Sequence, residues 1–169
     1  MDTRKVEKIA AIIIALSVTA LSFVHVGDWS AVGICCSCPL SNRLLYPFFH
    51  AGFLHAVLNA WCLLSVVFIY DVSYLRMLFA YVVAVTMPVD TLGTFLSLDS
   101  PTVGLSGVVY ALFGTISFEV ACKRYFQLWM LFYIGVGFIF PNTNAWLHLY
   151  CYLCGLVFAF LNKPINRKS

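Results

Sequence analysis

Charge is what this chain has least of. Of its 169 residues only 10% are Asp, Glu, Lys or Arg, whereas 62% are hydrophobic, and the mean hydropathy is +0.93. A soluble domain uses roughly 25% charged and 45–50% apolar residues, so a soluble globular fold is excluded. The net charge of +3 is spread over short flanks between apolar runs and forms no basic stripe, which excludes a nucleic-acid partner. Internal repeats, low-complexity segments and a second soluble domain are also missing. One membrane domain over residues 1–169 is the expectation.

The apolar residues come in runs long enough to cross a bilayer, which takes about 20 residues of helix with a range of roughly 17–25. Six spans are expected, over residues 9–26, 49–70, 72–88, 103–120, 125–140 and 145–161. Each should be helical, because backbone polar groups in lipid must be satisfied within the segment. The first run follows Arg4, Lys5 and Lys8 as the core of a signal peptide would. Its length of about 18 residues exceeds the roughly 7–15 of such a core, so it is read as a retained span. With six spans both termini share a side, and that side collects Arg4, Lys5, Lys8, Arg76, Lys123, Arg124, Lys163, Arg167 and Lys168. The opposite side holds Arg43 alone. The bias makes both termini cytoplasmic. The outer loops are then residues 27–48, 89–102 and 141–144.

Polar residues inside spans are costly and face the bundle interior or a water-filled cavity. Four side chains fall in one layer. Counting up from the cytoplasmic anchors at 1.5 Å per residue puts Ser106 about 25 Å, His148 about 22 Å, His55 about 24 Å and Asn59 about 18 Å above the inner face. Ser106 lies in V-G-L-S-G-V-V-Y-A-L-F-G, the stretch from Val103 to Gly114. Alone it reads as a small packing residue bonded back to its own helix. A neutral histidine nearby would make it a nucleophile. No Asp or Glu lies in the last span or at this depth, so a Ser–His dyad is expected rather than a triad. Ser106 opens a helix whose first N–H groups are unpaired and suited to an oxyanion. His55 and Asn59, four apart on one face, can add side-chain N–H donors, or clamp two helices together. Gly107 and Gly114 on one span, with Cys151 and Gly155 below His148 on another, would let the two helices approach closely. Tyr110, one turn below Ser106, either supports the imidazole or packs the core.

Together these stretches resemble the rhomboid family of intramembrane serine proteases, in its basic six-span bacterial form. The match is H-A-G-F-L-H-A-V-L-N at His50 to Asn59, G-L-S-G at Gly104 to Gly107 with Tyr110 after it, and His148 early in the last span with Gly155 seven residues on. The resemblance implies a six-helix membrane bundle in a bacterial inner membrane. It implies Ser106 as nucleophile, His148 as general base, and an oxyanion site of His55, Asn59 and the Ser106 N–H. Gly104 and Tyr110 are implied as supporting residues, and His50 as structural or water-linked. Substrates would be transmembrane proteins in the lipid bilayer, cut near the outer face. The fifth span and the 141–144 cap would move to admit them. No metal or cofactor is implied. The chain departs from the family pattern where Leu147 precedes His148 and where Cys151 stands for the first glycine.

Seven cysteines remain. Cys62, Cys122, Cys151 and Cys154 fall in or beside spans as small apolar residues. Cys35, Cys36 and Cys38 face the outside, where disulfides can form, though an odd cluster cannot pair completely within itself. None is placed beside His148 as Ser106 is, so a cysteine protease is set aside. The competing function is a catalytically inactive rhomboid-like protein that binds transmembrane clients. A transporter would need polar residues reaching both faces, and the deep carboxylate, Glu119, is expected to pair with Lys123.

Overall fold

Apolar runs that must satisfy their own backbone form helices, and helices make up the architecture. The computed structural model describes residues 3–96, 100–140 and 143–162. The basic residues Lys163, Arg167 and Lys168, Asp99, and the 141–142 half of the cap lie outside them. In chain order the helices are α1 (Thr3–Leu21), α2 (Leu40–Leu45), α3 (Phe53–Ile69), α4 (Tyr74–Val85), α5 (Val89–Leu96), α6 (Ser106–Ile116), α7 (Lys123–Gly137) and α8 (Ala145–Leu161). Two short 3-10 turns, Trp29–Ala31 and Tyr46–Phe48, join them. An isolated antiparallel bridge pairs Ile34 with Thr102.

α6 is the centre of the bundle. It packs most extensively on α8, then on α4, and it also touches α3, while α1 lies along α3. Eight of its eleven residues are buried, among them Val108, Val109, Ala111, Leu112 and Ile116. The core runs from α1 (Ala11, Ala15, Val18) through α3 (Leu63, Val66, Val67) and α4 (Ala80, Ala84) into α6 and α8 (Leu147, Cys151). Exposed apolar side chains such as Leu16, Trp61, Leu75, Leu128 and Phe160 surround it, the reverse of a soluble surface.

α3, α4 and α6 are shorter than the apolar runs that contain them, whereas α8 fills its run. By length and composition, one stretch among the described residues, Tyr74–Leu92, is long and apolar enough to cross a membrane. The bent pair Leu40–Phe48 and Phe53–Ile69, at 84°, would add a second if taken as one broken span. α1 begins earlier than expected and stops at Leu21. There Thr19 Oγ1 donates to the Ala15 carbonyl at 2.7 Å and Ser22 Oγ to that of Thr19 at 2.7 Å, hydroxyl bonds that compete with the helix. The expected 103–120 span is helical only from Ser106 to Ile116, and residues 117–122 are turns. A climb at 1.5 Å per residue from Lys123 therefore overstates the height of Ser106, because the helical part contributes only about 15 Å. The same turns correct the pairing of Glu119. Its carboxylate bonds Arg76 of α4, because Glu119 and Lys123 do not share a helix.

Candidate active site

Ser106 is the first residue of α6. The loop that delivers it is fixed at successive peptide groups: Gly104 N–H donates to the Tyr46 carbonyl at 3.0 Å, and Leu105 N–H donates to His50 Nε2 at 3.1 Å. Gly104 turns with φ +126°, a conformation open to glycine but not to other L-residues. A Cβ there would also stand 2.8 Å from His55 Cε1. The sharp turn brings the chain into α6 against the histidine rings. Leu105, at the N-cap, gives no side-chain bond to the first turn, so the opening N–H groups of α6 have no intrahelical acceptor.

His148 stands one turn into α8, and its Nε2 lies 2.8 Å from Ser106 Oγ. The Tyr110 ring stacks on the imidazole, with centroids 4.4 Å apart and planes 18° apart. The distance depends on how closely α6 and α8 approach, and glycine sets that. A Cβ on Gly114 would meet the Tyr152 carbonyl oxygen at 2.4 Å, and one on Gly155 would meet that of Ala111 at 2.1 Å. No side chain fits at either place. Nearer the site Gly107 faces Cys151 Sγ, 3.4 Å from where its Cβ would be. Cys151 is fully buried and fills the seam where the family pattern has glycine.

The second polar stretch divides in two. His50 lies ahead of α3 in the irregular segment before it, and not at the opening of a helix as expected. Its ring is buried, accepts from Leu105, and meets His55 edge to face at 4.9 Å. The bond to Leu105 leaves the ring proton on Nδ1, which is buried. His55, on α3, presents an exposed ring beside Gly104. Asn59 is buried, and its amide donates to the His55 carbonyl at 2.9 Å, which leaves one N–H of the amide for another acceptor. Ser106, His148, Tyr110, Gly104, His50 and His55 thus meet in one place, with Asn59 one turn below His55.

Three further residues hold the frame and were not singled out from sequence. Tyr46, fully buried, accepts from Gly104 and donates its hydroxyl to the Ala84 carbonyl at 3.0 Å. Thr102 exchanges both backbone bonds with Ile34 at 2.9 Å and accepts at Oγ1 from Asn144 Nδ2 at 3.0 Å. Asn144 also caps α8, accepting from Leu147 N–H at 2.9 Å. One asparagine therefore links the start of the histidine helix to the loop that carries the serine. An asparagine just before an apolar run is a recognisable N-cap signal; nothing local marks Tyr46 or Thr102.

The chemistry open to this arrangement is that of an activated hydroxyl. Among the described residues no group of three or more His, Cys, Asp and Glu side chains is placed to hold a metal ion. A model of the rhomboid domain matches residues 39–164. No curated protein matches the chain. The matched segment covers most of the sequence and contains every residue of the site, from His50 to His148, so the chain belongs to the rhomboid family, whose members are embedded in membranes.

Proposed function

We propose that this protein is an intramembrane serine endopeptidase working through a Ser106–His148 dyad. The observation that carries the reading is the 2.8 Å contact between Ser106 Oγ and His148 Nε2, with the imidazole held by the Tyr110 ring. As Ser106 Oγ attacks a peptide carbonyl, its proton passes to His148 Nε2. The tetrahedral oxyanion is met by the Ser106 N–H at the start of α6 and by N–H groups of His55 and Asn59. His148 returns the proton to the departing amine, leaving an acyl-serine ester. Water, deprotonated by the same nitrogen, hydrolyses the ester. Among the described residues no hydrogen bond ties a carboxylate to the imidazole, which is oriented by stacking on Tyr110, and in this reading the site works without a third member. Gly104 shapes the approach to Ser106, and His50 holds the Leu105 peptide.

In this reading α1, α3, α4, α6, α7 and α8 are six crossings with both termini cytoplasmic, the site opens toward the outer face of a bacterial inner membrane, and the substrates are transmembrane proteins. The strong bias of basic residues supports the orientation, and the exposed apolar belt supports the insertion.

Labelling of the detergent-purified protein with a fluorophosphonate probe tests it, beside cleavage of a model transmembrane substrate. Ser106→Ala and His148→Ala should each abolish labelling and lower cleavage by about 10⁴-fold or more. A folded parent that neither labels nor cleaves would overturn the proposal in favour of an inactive protein that binds transmembrane clients.

A further inference from the structure

The cysteines of the first outer loop are not equivalent. Residues 35–38, C-C-S-C, form a tight turn in which Cys38 N–H reaches the Cys35 carbonyl at 3.4 Å and Ser37 takes φ +58°. A four-residue turn of this kind holds its first and last Cα atoms within about 7 Å, and disulfides bridge Cα atoms about 4.4–6.8 Å apart. The Cys38 thiol lies close enough to the Cys35 thiol to act on it. Cys36 points elsewhere, its Sγ donating to the Val89 carbonyl at 3.5 Å. All three are free thiols and partly exposed, so an exchange partner can reach them.

We propose that Cys35 and Cys38 are a dithiol that closes to a disulfide within the loop, with Cys36 left as a thiol. The oxidant is a disulfide-bearing molecule acting by exchange. One thiolate of the pair attacks its S–S bond and forms a mixed disulfide, releasing one thiol. The second cysteine, losing its proton, attacks the loop sulfur of that mixed disulfide and releases the other thiol. Two cysteine thiols are oxidised, one disulfide is reduced to two thiols, and the two protons go to the leaving sulfurs. Burial, helped by the neighbouring Cys38 and Cys36 thiols, pushes the Cys35 thiol up.

The turn is wired to the frame of the site on both sides. Ile34, just before it, holds the bridge to Thr102. Ser37 N–H donates to an Asp90 carboxylate oxygen at 2.6 Å, and that carboxylate also pairs with Arg43. The bond would therefore close a turn already tied to α2, to α5 and to the strand-like segment that leads to Ser106.

The test uses the full chain in detergent, exposed to oxidised glutathione, blocked with N-ethylmaleimide, and mapped by mass spectrometry without reduction. The loop peptide should lose two hydrogens and carry one maleimide. In Cys36→Ser it should lose two hydrogens and carry none. In Cys38→Ser, with folding checked by size-exclusion chromatography, it should show no internal bridge. Three maleimides on the parent peptide, or a bridge that vanishes in Cys36→Ser, would overturn the assignment. Because the readout is a mass, it is independent of whether Ser106 is reactive.

Discussion

α8 and α7 are neighbours of similar length, yet the molecule holds them very differently. α8 lies against α6 backbone to backbone, with Gly114 and Gly155 leaving no room for a methyl group. It buries Ala145, Leu147, Cys151, Tyr152, Gly155 and Ala159 along its length. α7 buries only Met130, Ile134 and Gly137. Its other faces expose Tyr125, Leu128, Leu131, Phe132 and Tyr133, and its principal helix partner is α8. The close seam is where the 2.8 Å contact is made, and under the proposed function the lightly held helix is where a transmembrane substrate would enter. In that reading precision and access fall to different helices, so neither requirement compromises the other.

The comparison breaks most completely at the seam. In Gly155→Val the new Cβ would lie 2.1 Å from the Ala111 carbonyl oxygen, and backbone cannot give way as a side-chain tip can. Overpacking typically costs about 1–3 kcal/mol and sometimes more; here the upper end or beyond is expected, with Ser106 labelling lost. An SDS titration of folded protein would show it. A normal midpoint with full labelling would mean that the seam is not tight. Gly104→Ala should do less to stability and act mainly on the chemistry. The φ of +126° costs a non-glycine residue about 1–3 kcal/mol, and the methyl would push on His55. A displacement of about 1 Å at a reactive centre costs about 10²-fold, so the labelling rate should fall by that order while the helices stay assembled.

A smaller effect is expected from the link between seam and loop. Asn144→Ala removes the α8 cap, worth about 1 kcal/mol, together with the bond to Thr102. The labelling rate should drop about 5- to 10-fold, each 1.4 kcal/mol being tenfold. Thr102→Val keeps the cap and removes only the cross-link, so it separates the two contributions. If Thr102→Val leaves the rate unchanged, the asparagine acts on its own helix alone.

Much of this was legible from the residue string, for reasons that can be named. The bounds of α8 match because Asn144 caps the start of an unbroken apolar run. Ser106 opens its helix as expected, since Gly104 ahead of it marks the turn. The small residues of the two helices gave the α6–α8 seam. What hydropathy could not read was where helix ends inside uniformly apolar sequence. The 103–120 run looks continuous, yet its first residues are spent on the Gly104 turn and its last on the turns at 117–122. Partners drawn from distant segments were equally hidden: Arg76 for Glu119, Tyr46 for Gly104, Ile34 for Thr102. Each depends on tertiary placement, which no local pattern encodes.

The mildest change should sharpen the contrast rather than abolish it. Among the described residues α7 is pinned near its start by a side-chain contact, Tyr152 Oη donating to Gln127 Oε1 at 3.1 Å, and the same hydroxyl lies 3.3 Å from Ser117 Oγ. Gln127→Leu removes the acceptor but leaves Tyr152 with Ser117, so no buried hydroxyl is stranded and the cost should be about 1 kcal/mol. Only α7 loses a tie, because Tyr152 and Ser117 belong to the seam side. Hydrogen exchange should therefore quicken about 5-fold along α7, the equivalent of 1 kcal/mol, while α6 and α8 amides hold their protection. Tyr152→Phe breaks the contact from the other side and should give the same pattern, with some loosening at Ser117. Equal acceleration in all three helices would show that α7 and α8 open together, and the division between a fixed seam and a lightly held neighbour would fail.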